Sequence, residues 1–235
     1  MFRIMAKSAK SAEILIYGDI GSSYWGDGVS ASDFAALLKE VGAVEELDVR
    51  INSYGGDVAD GVTIYQLLNE HKARVTIHVD GIAASAASFI AMAGDKIIVS
   101  EAGRMMIHDA LTIAIGNAAD FREVAEHLEN TSEQIAEVYS ARSGKTITEI
   151  RDAMRAETWF TGKEAVEFGL AHEVAPLKKS ESNDENKVVA LDTSKHKFRN
   201  APAELLPGRA AIAAQVARQQ VALTLSRAAA SATKR

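Results

Sequence analysis

The sequence predicts an α/β fold assembled from parallel crossover units. Two observations carry this. Through about Val174, short runs rich in Ile and Val alternate with longer stretches of helical periodicity. Hydrophobic residues make up 47% of the 235, the soluble globular average, so a chain of this length can bury a core.

The elements follow in order. Residues 13–20 (EILIYGDI), 47–53 (LDVRINS), 74–80 (RVTIHVD) and 96–100 (KIIVS) read as strands. Helical stretches lie between them at 32–41, 58–71 and 83–93. A longer helix is expected over 117–142, then two short helices whose starts carry capping boxes, Thr146 with Glu149 and Thr161 with Glu164. The opening residues 1–11 are basic and lack an apolar signal core, and no run approaches the roughly 18 apolar residues of a membrane helix. The expectation is therefore a cytoplasmic protein, or one delivered by assembly, with no membrane partner.

After Pro176 the composition changes. Residues 178–187 (KKSESNDENK) have almost nothing to bury and read as a linker. Past Pro207-Gly208, the Ala-rich stretch 209–230 has helical propensity, with Ile212, Val216 and Leu223 near one face, a stripe too narrow to be stable alone. The expected division is a folded domain over 1–176, a polar linker over 177–202 and a basic helical or disordered tail over 203–235. Charge supports it. The formal net charge of −6 averages a first part, residues 1–177, at −12 with a second, 178–235, at +6.

The chain has no cysteine, which excludes disulfides, thiolate nucleophiles, Cys-based zinc sites and iron–sulfur clusters. Covalent chemistry would then run through Ser, Thr, Lys or a carboxylate. The segment Gly81-Ile82-Ala83-Ala84-Ser85-Ala86-Ala87-Ser88 follows a strand directly and places a serine among very small side chains. Small neighbours let a substrate carbonyl approach, and a helix start offers N–H groups without partners; the same composition also suits a helix packed closely on a neighbour. Among the six histidines, His108 ends the apolar run Met105-Met106-Ile107, where a strand end delivers an imidazole to a site edge. In Ile51-Asn52-Ser53-Tyr54-Gly55-Gly56-Asp57, paired glycines can expose backbone N–H groups, and Asp57 suits an N-cap; an ordinary turn would look the same.

Together and in this order, the segments resemble the ClpP family of self-compartmentalising serine peptidases. Its glycine-rich loop resembles Asn52 to Gly56, its nucleophile motif Gly81 to Ala87, its histidine motif Met105 to Asp109, and its terminal pattern the stretch 160–170 (FTGKEAVEFGL). The likeness spans roughly residues 12–175. It implies a ClpP/crotonase-like fold, a repeated β-β-α superhelix with a helical handle, followed here by a largely flexible C-terminal extension. It also implies Ser85 as nucleophile, His108 as general base, Glu157 as the acid, the N–H groups of Gly56 and Ala86 as oxyanion hole, and Gly55, Leu111 and Ile113 in substrate binding. Glu157 stands where the family usually has Asp, with Asp152 as fallback, and Tyr54 where it usually has Pro. No metal or cofactor is implied.

Residues 111–116 (LTIAIG) alternate as an edge strand does. In the resembled family this segment pairs rings and flanks the extended substrate, so a homo-oligomeric ring is expected, a heptamer or stacked rings, unless a hairpin within the monomer covers the segment. The segments 191–195 and 198–202 resemble the tails of phage-encoded ClpP-like prohead proteases, which implies scaffold or capsid protein as substrate and the host cytoplasm and procapsid interior as location. A housekeeping subunit served by an unfoldase is the alternative. The chain has no Walker motif, and its basic tail lacks the aromatic interleaving of a nucleic-acid binder. Outside this class stand a crotonase-like acyl-coenzyme A hydratase or isomerase and a catalytically silent assembly subunit.

Overall fold

A computed structural model describes residues 2–6, 10–21, 28–176 and 198–202. The chain divides into two compact units, 1–183 and 184–235, and every element named below lies in the first. The expected linker and tail lie outside the described residues except for 198–202.

The elements are β1 (Phe2–Ala6), β2 (Ser11–Tyr17), α1 (Ala31–Val41), β3 (Glu46–Ser53), α2 (Val58–Asn69), β4 (Arg74–Ala84), α3 (Ala86–Ala91), β5 (Lys96–Ser100), β6 (Arg104–Ile107), α4 (Ala118–Ser143), α5 (Ile147–Arg155), β7 (Thr158–Thr161), α6 (Gly162–Phe168) and β8 (Glu173–Ala175). The sheet runs β1-β2-β3-β4-β5-β8, with β6 and β7 branching from β4. Pairing is parallel from β2 through β8 and antiparallel at β1–β2 and β6–β7.

The period of two explains the core. Ile14 and Ile16, Leu47, Val49 and Ile51, Val75, Ile77 and Val79, and Ile97 and Val99 point one way and are buried against Phe34 of α1, Ile64 and Leu68 of α2 and Ile90 of α3. The alternate residues bond across the opposite face. Asp80 Oδ2 accepts from Tyr17 at 2.5 Å and from Arg50 Nε at 2.8 Å, and His78 Nε2 lies 3.0 Å from Asp48 Oδ1. Helix starts are fixed by side-chain caps at Ser30, Asp57, Asn117, Thr146 and Thr161, the last three as full capping boxes.

One irregularity creates the branch. The β3–β4 register runs Ile51↔Val79 and then Ser53↔Ala83, so β4 carries extra residues opposite Asn52. Asn52 Oδ1 accepts the Ile82 N–H at 3.2 Å and lies 2.6 Å from where a side chain on Gly81 would begin, so any larger residue there would displace the Asn52 amide. Before the bulge β4 pairs with β5; beyond it β4 pairs with β6. The bulge thus turns the end of β4 toward a second set of strands.

Several expectations are corrected. The helix expected over 83–93 begins only at Ala86, because Ala83 and Ala84 join the ladder with Met105 and Met106 and the ladder overrides the helical propensity of alanine. Residues 2–6, expected to form no element, pair as β1, and β7 and β8 were not anticipated. Residues 111–116 join no ladder and are not covered by a hairpin; Ile113 is 94% and Ile115 99% exposed. Among the described residues no strand lies alongside them. Among the described residues no helix is long and apolar enough to cross a membrane.

Candidate active site

Ser85 stands at the junction of β4 and α3 with φ 55° and ψ −128°, backbone that an L-residue adopts only at a cost of about 1–3 kcal/mol. Two contacts hold it there. Its N–H donates to the Met106 carbonyl at 3.0 Å, and its carbonyl accepts the N–H groups of Ser88 and Phe89 at 2.9 and 3.1 Å. Ser88 is buried, with its Oγ 2.7 Å from both the Ser85 and Met106 carbonyls and 2.8 Å from the Tyr139 hydroxyl. Burial raises the Tyr139 pKa, so its proton stays on the hydroxyl and α4 is tied to the serine turn by neutral hydrogen bonds.

β6 runs beside the end of β4, and its last residue, Ile107, precedes His108. His108 Nε2 lies 2.7 Å from Ser85 Oγ. With the imidazole proton on Nδ1, the serine hydroxyl donates to Nε2, the arrangement in which a base can take that proton. Sequence reasoning named these two residues separately; the fold brings them into contact.

Glu157 follows α5, is 4% exposed, and has φ 50°. Among the described residues it and Ser85 are the two non-glycine residues with positive φ. Its N–H donates to the Met154 carbonyl at 3.0 Å, and its Oε1 lies 3.4 Å from Trp159 Nε1. The antiparallel β6–β7 register pairs Met106 with Trp159 and Ile107 with Thr158. The ladder ends there, with His108 following Ile107 and Glu157 preceding Thr158 at the same end. Asp152, the fallback, has a side chain 70% exposed and 3.6 Å from Arg155.

The glycine loop lies against the serine turn. A side chain on Gly55 would begin 2.7 Å from Ser85 Cβ and 2.9 Å from the Ala86 nitrogen, and φ is 92°, so space and conformation both require glycine. Ile20 pairs along one side of this loop, donating to the Gly55 carbonyl at 2.8 Å and accepting the Asp57 N–H at 2.9 Å. Extended backbone alternates its direction, so the Gly56 N–H turns away from Ile20, the side on which Gly55 meets the Ser85-Ala86 peptide. Among the described residues neither Gly56 N–H nor Ala86 N–H has a hydrogen-bond acceptor, and Ala86 begins α3, where helical N–H groups lack internal partners.

The match to known families comes through the whole of this arrangement. The Clp protease family profile covers residues 2–178. The chain belongs to the Clp protease family. Its relatives include the ATP-dependent Clp protease proteolytic subunit of Ligilactobacillus salivarius (strain UCC118), 30% identical over 182 residues, 76% of this chain and 90% of that one. The same-named subunit of Chlorella vulgaris is 31% identical over 150 residues, 62% of this chain and 75% of the relative.

Relative to this Clp protease framework, Leu111 and Ile113 stand apart: they are 65% and 94% exposed on a segment outside any ladder. Among the described residues no group of three or more His, Asp or Glu could hold a metal ion. Sequence reasoning missed Arg151, 3% exposed and paired with Asp109, the residue after His108. The signal was an arginine on the apolar side of α5, between the buried Ile150 and Met154.

Proposed function

We propose that the chain is a serine endopeptidase in which Ser85 Oγ attacks the scissile carbonyl. His108 Nε2 takes the serine proton and returns it to the leaving amine, and water then repeats the cycle on the acyl-enzyme. Glu157 holds the Nδ1–H and so selects the tautomer that leaves Nε2 free to accept; its place beside the Ile107–Thr158 end of the ladder and its burial support Glu157 over the exposed Asp152. The Gly56 and Ala86 N–H groups would bind the oxyanion, a contribution of about 3–4 kcal/mol when one such donor is lost. The 2.7 Å contact between Ser85 and His108 carries the proposal. A crotonase-like hydratase needs neither that serine nor that imidazole.

The exposed residues Leu111, Ile113 and Ile115 support a ring-forming oligomer in which this segment meets a second chain or an extended substrate. The finer reading is a phage prohead protease cleaving scaffold or capsid protein, with the tail recruiting it to an acidic scaffold. The +6 charge of residues 178–235 beside a −12 domain supports this. A housekeeping subunit fed by an unfoldase is the second reading, and the names of the relatives favour it. Digestion of casein and of an acidic scaffold protein by the full chain, and by a chain ending at residue 177, tests the choice. Selective loss of scaffold cleavage in the shorter chain supports the prohead role; equal cleavage of both substrates by both chains removes it.

A further inference from the structure

We propose that Arg151 and Asp109 form a positioning pair that sets the distance and orientation of His108 relative to Glu157; this rests on the peptidase reading. The β6 ladder ends at Ile107, so among the described residues no strand pairs with the chain beyond His108. Two side-chain ties replace it. Asp109 accepts from Arg151 Nη1, and Ser132 Oγ of α4 accepts the Ala110 N–H at 3.0 Å.

The cation is chosen for the task. Arg151 is 3% exposed, and a buried charge is tolerated when opposite charges are paired with it. Nη1 holds Asp109 and Nη2 donates to Glu129 Oε1 at 2.7 Å, while Nε makes no hydrogen bond and lies at ion-pair distance, 3.4 Å, from Glu133 Oε2. A planar guanidinium fixes these carboxylates relative to one another in a way a lysine cannot. The outer partners Glu129 and Glu133 are 62% and 51% exposed and stay solvated, so their charges compensate the buried cation at little cost.

The connectivity makes the pair catalytically relevant rather than a general link between helices. Arg151 lies on α5, whose end delivers Glu157, and Asp109 follows His108 directly. The two residues are therefore bracketed on both sides. The Ile107–Thr158 step of the ladder ties the residues next to them, and the Asp109–Arg151 ion pair ties the residue after His108 to the helix that leads into Glu157. Loosening the second tie leaves β6 and β7 paired while letting the imidazole swing.

The test compares full-length wild type with Asp109→Asn, Arg151→Met, Arg151→Lys and the double variant Asp109→Asn/Arg151→Met. It reads the rate of fluorophosphonate labelling at Ser85, kcat and KM on a peptide, and the His108 imidazole nitrogen resonances. Asp109→Asn should lower kcat and the labelling rate by about tenfold with KM within about twofold, since small misplacements of a catalytic group cost rate rather than binding. Arg151→Lys should restore part of what Arg151→Met loses, and the double variant should be no slower than the slower single one. Asp109→Asn retains the buried packing, which keeps the test decisive if Arg151→Met fails to fold. Folded Asp109→Asn that labels at the wild-type rate overturns the proposal. If wild type itself does not label, the peptidase reading fails; the pair then stands if Asp109→Asn alters the His108 resonances and falls if they are unchanged.

Discussion

The Ser85 N–H donates to the Met106 carbonyl at 3.0 Å, two residues before His108. That bond continues the β4–β6 ladder by one step, so the bulge that sends β4 toward β6 also brings serine and imidazole within 2.7 Å. Ser88 Oγ of α3 bonds the same carbonyl, and the Tyr139 hydroxyl of α4 in turn bonds Ser88 Oγ. The contact between Ser85 and His108 is thus a consequence of strand pairing, held by neutral hydrogen bonds inside a buried layer.

Strain is concentrated where the chemistry is proposed. Ser85 and Glu157 both have positive φ, and glycine relieves that cost where alanine does not. Ser85→Gly should therefore be about 1 kcal/mol more stable than Ser85→Ala in chemical denaturation. The same order is expected for Glu157→Gly over Glu157→Ala, and reversed orders at both positions would remove strain from the account.

Glu157→Gln should preserve packing while removing the charge proposed to stabilise the imidazolium. A fall in kcat of about 10²–10⁴ with KM little changed is expected, whereas Asp152→Asn should stay within about twofold. Peptide hydrolysis kinetics on the two variants decide between the carboxylates. A large loss in Asp152→Asn alone would assign the acid to Asp152.

Two glycines separate conformational strain from collision. Gly42 has φ 70° with nothing within 4 Å of an added side chain, whereas Gly55 has φ 92° and would clash with Ala84 O and Ser85 Cβ at 2.7 Å. Gly42→Ala should cost about 1 kcal/mol and leave Ser85 labelling intact. Gly55→Ala should cost more and slow labelling, because relief of the clash displaces the serine turn.

Stability should decline on acidification in two stages. Burial, with the nearby Arg142 and Lys96 charges, holds the His172 pKa below its usual 6.5, and its Nδ1 accepts the Ile97 N–H at 2.9 Å. The folded state then binds fewer protons than the unfolded one, so this contribution is complete above pH 6.5 and is lost as pH falls from there to the lowered value. Glu129, Glu164 and Glu173 are held below the carboxylate range, by Arg151, by the Thr161 cap and by Lys96 respectively, so a second loss follows below about pH 4. Thermal unfolding across pH 4–8 should show the first slope in wild type and a smaller one in His172→Asn; identical slopes would contradict the assignment.

The fold was legible where local rules agree with tertiary pairing. β5 was read with its bounds because a short run of Ile and Val is flanked by polar Lys96 and Ser100, and α5 and α6 because their capping boxes form as hydrogen bonds. The helix start at Ala83 misled because two alanines with high helical propensity are claimed by a ladder, and four-residue β7 and three-residue β8 are too short to show a period. Ser85, His108 and the glycine loop stood out through composition at element junctions. Arg151 did not, because its partners Asp109 and Glu129 lie 42 and 22 positions away in the chain and only folding collects them.

Fluorophosphonate labelling of folded wild type, His108→Ala and Ser85→Ala, with the modified peptide located by mass spectrometry, tests the central claim most directly. Adduct on Ser85 in wild type, slowed by about 10³-fold or more in His108→Ala and absent in Ser85→Ala, is the expected result. Folded wild type that carries no adduct at Ser85 and cleaves no peptide would contradict it.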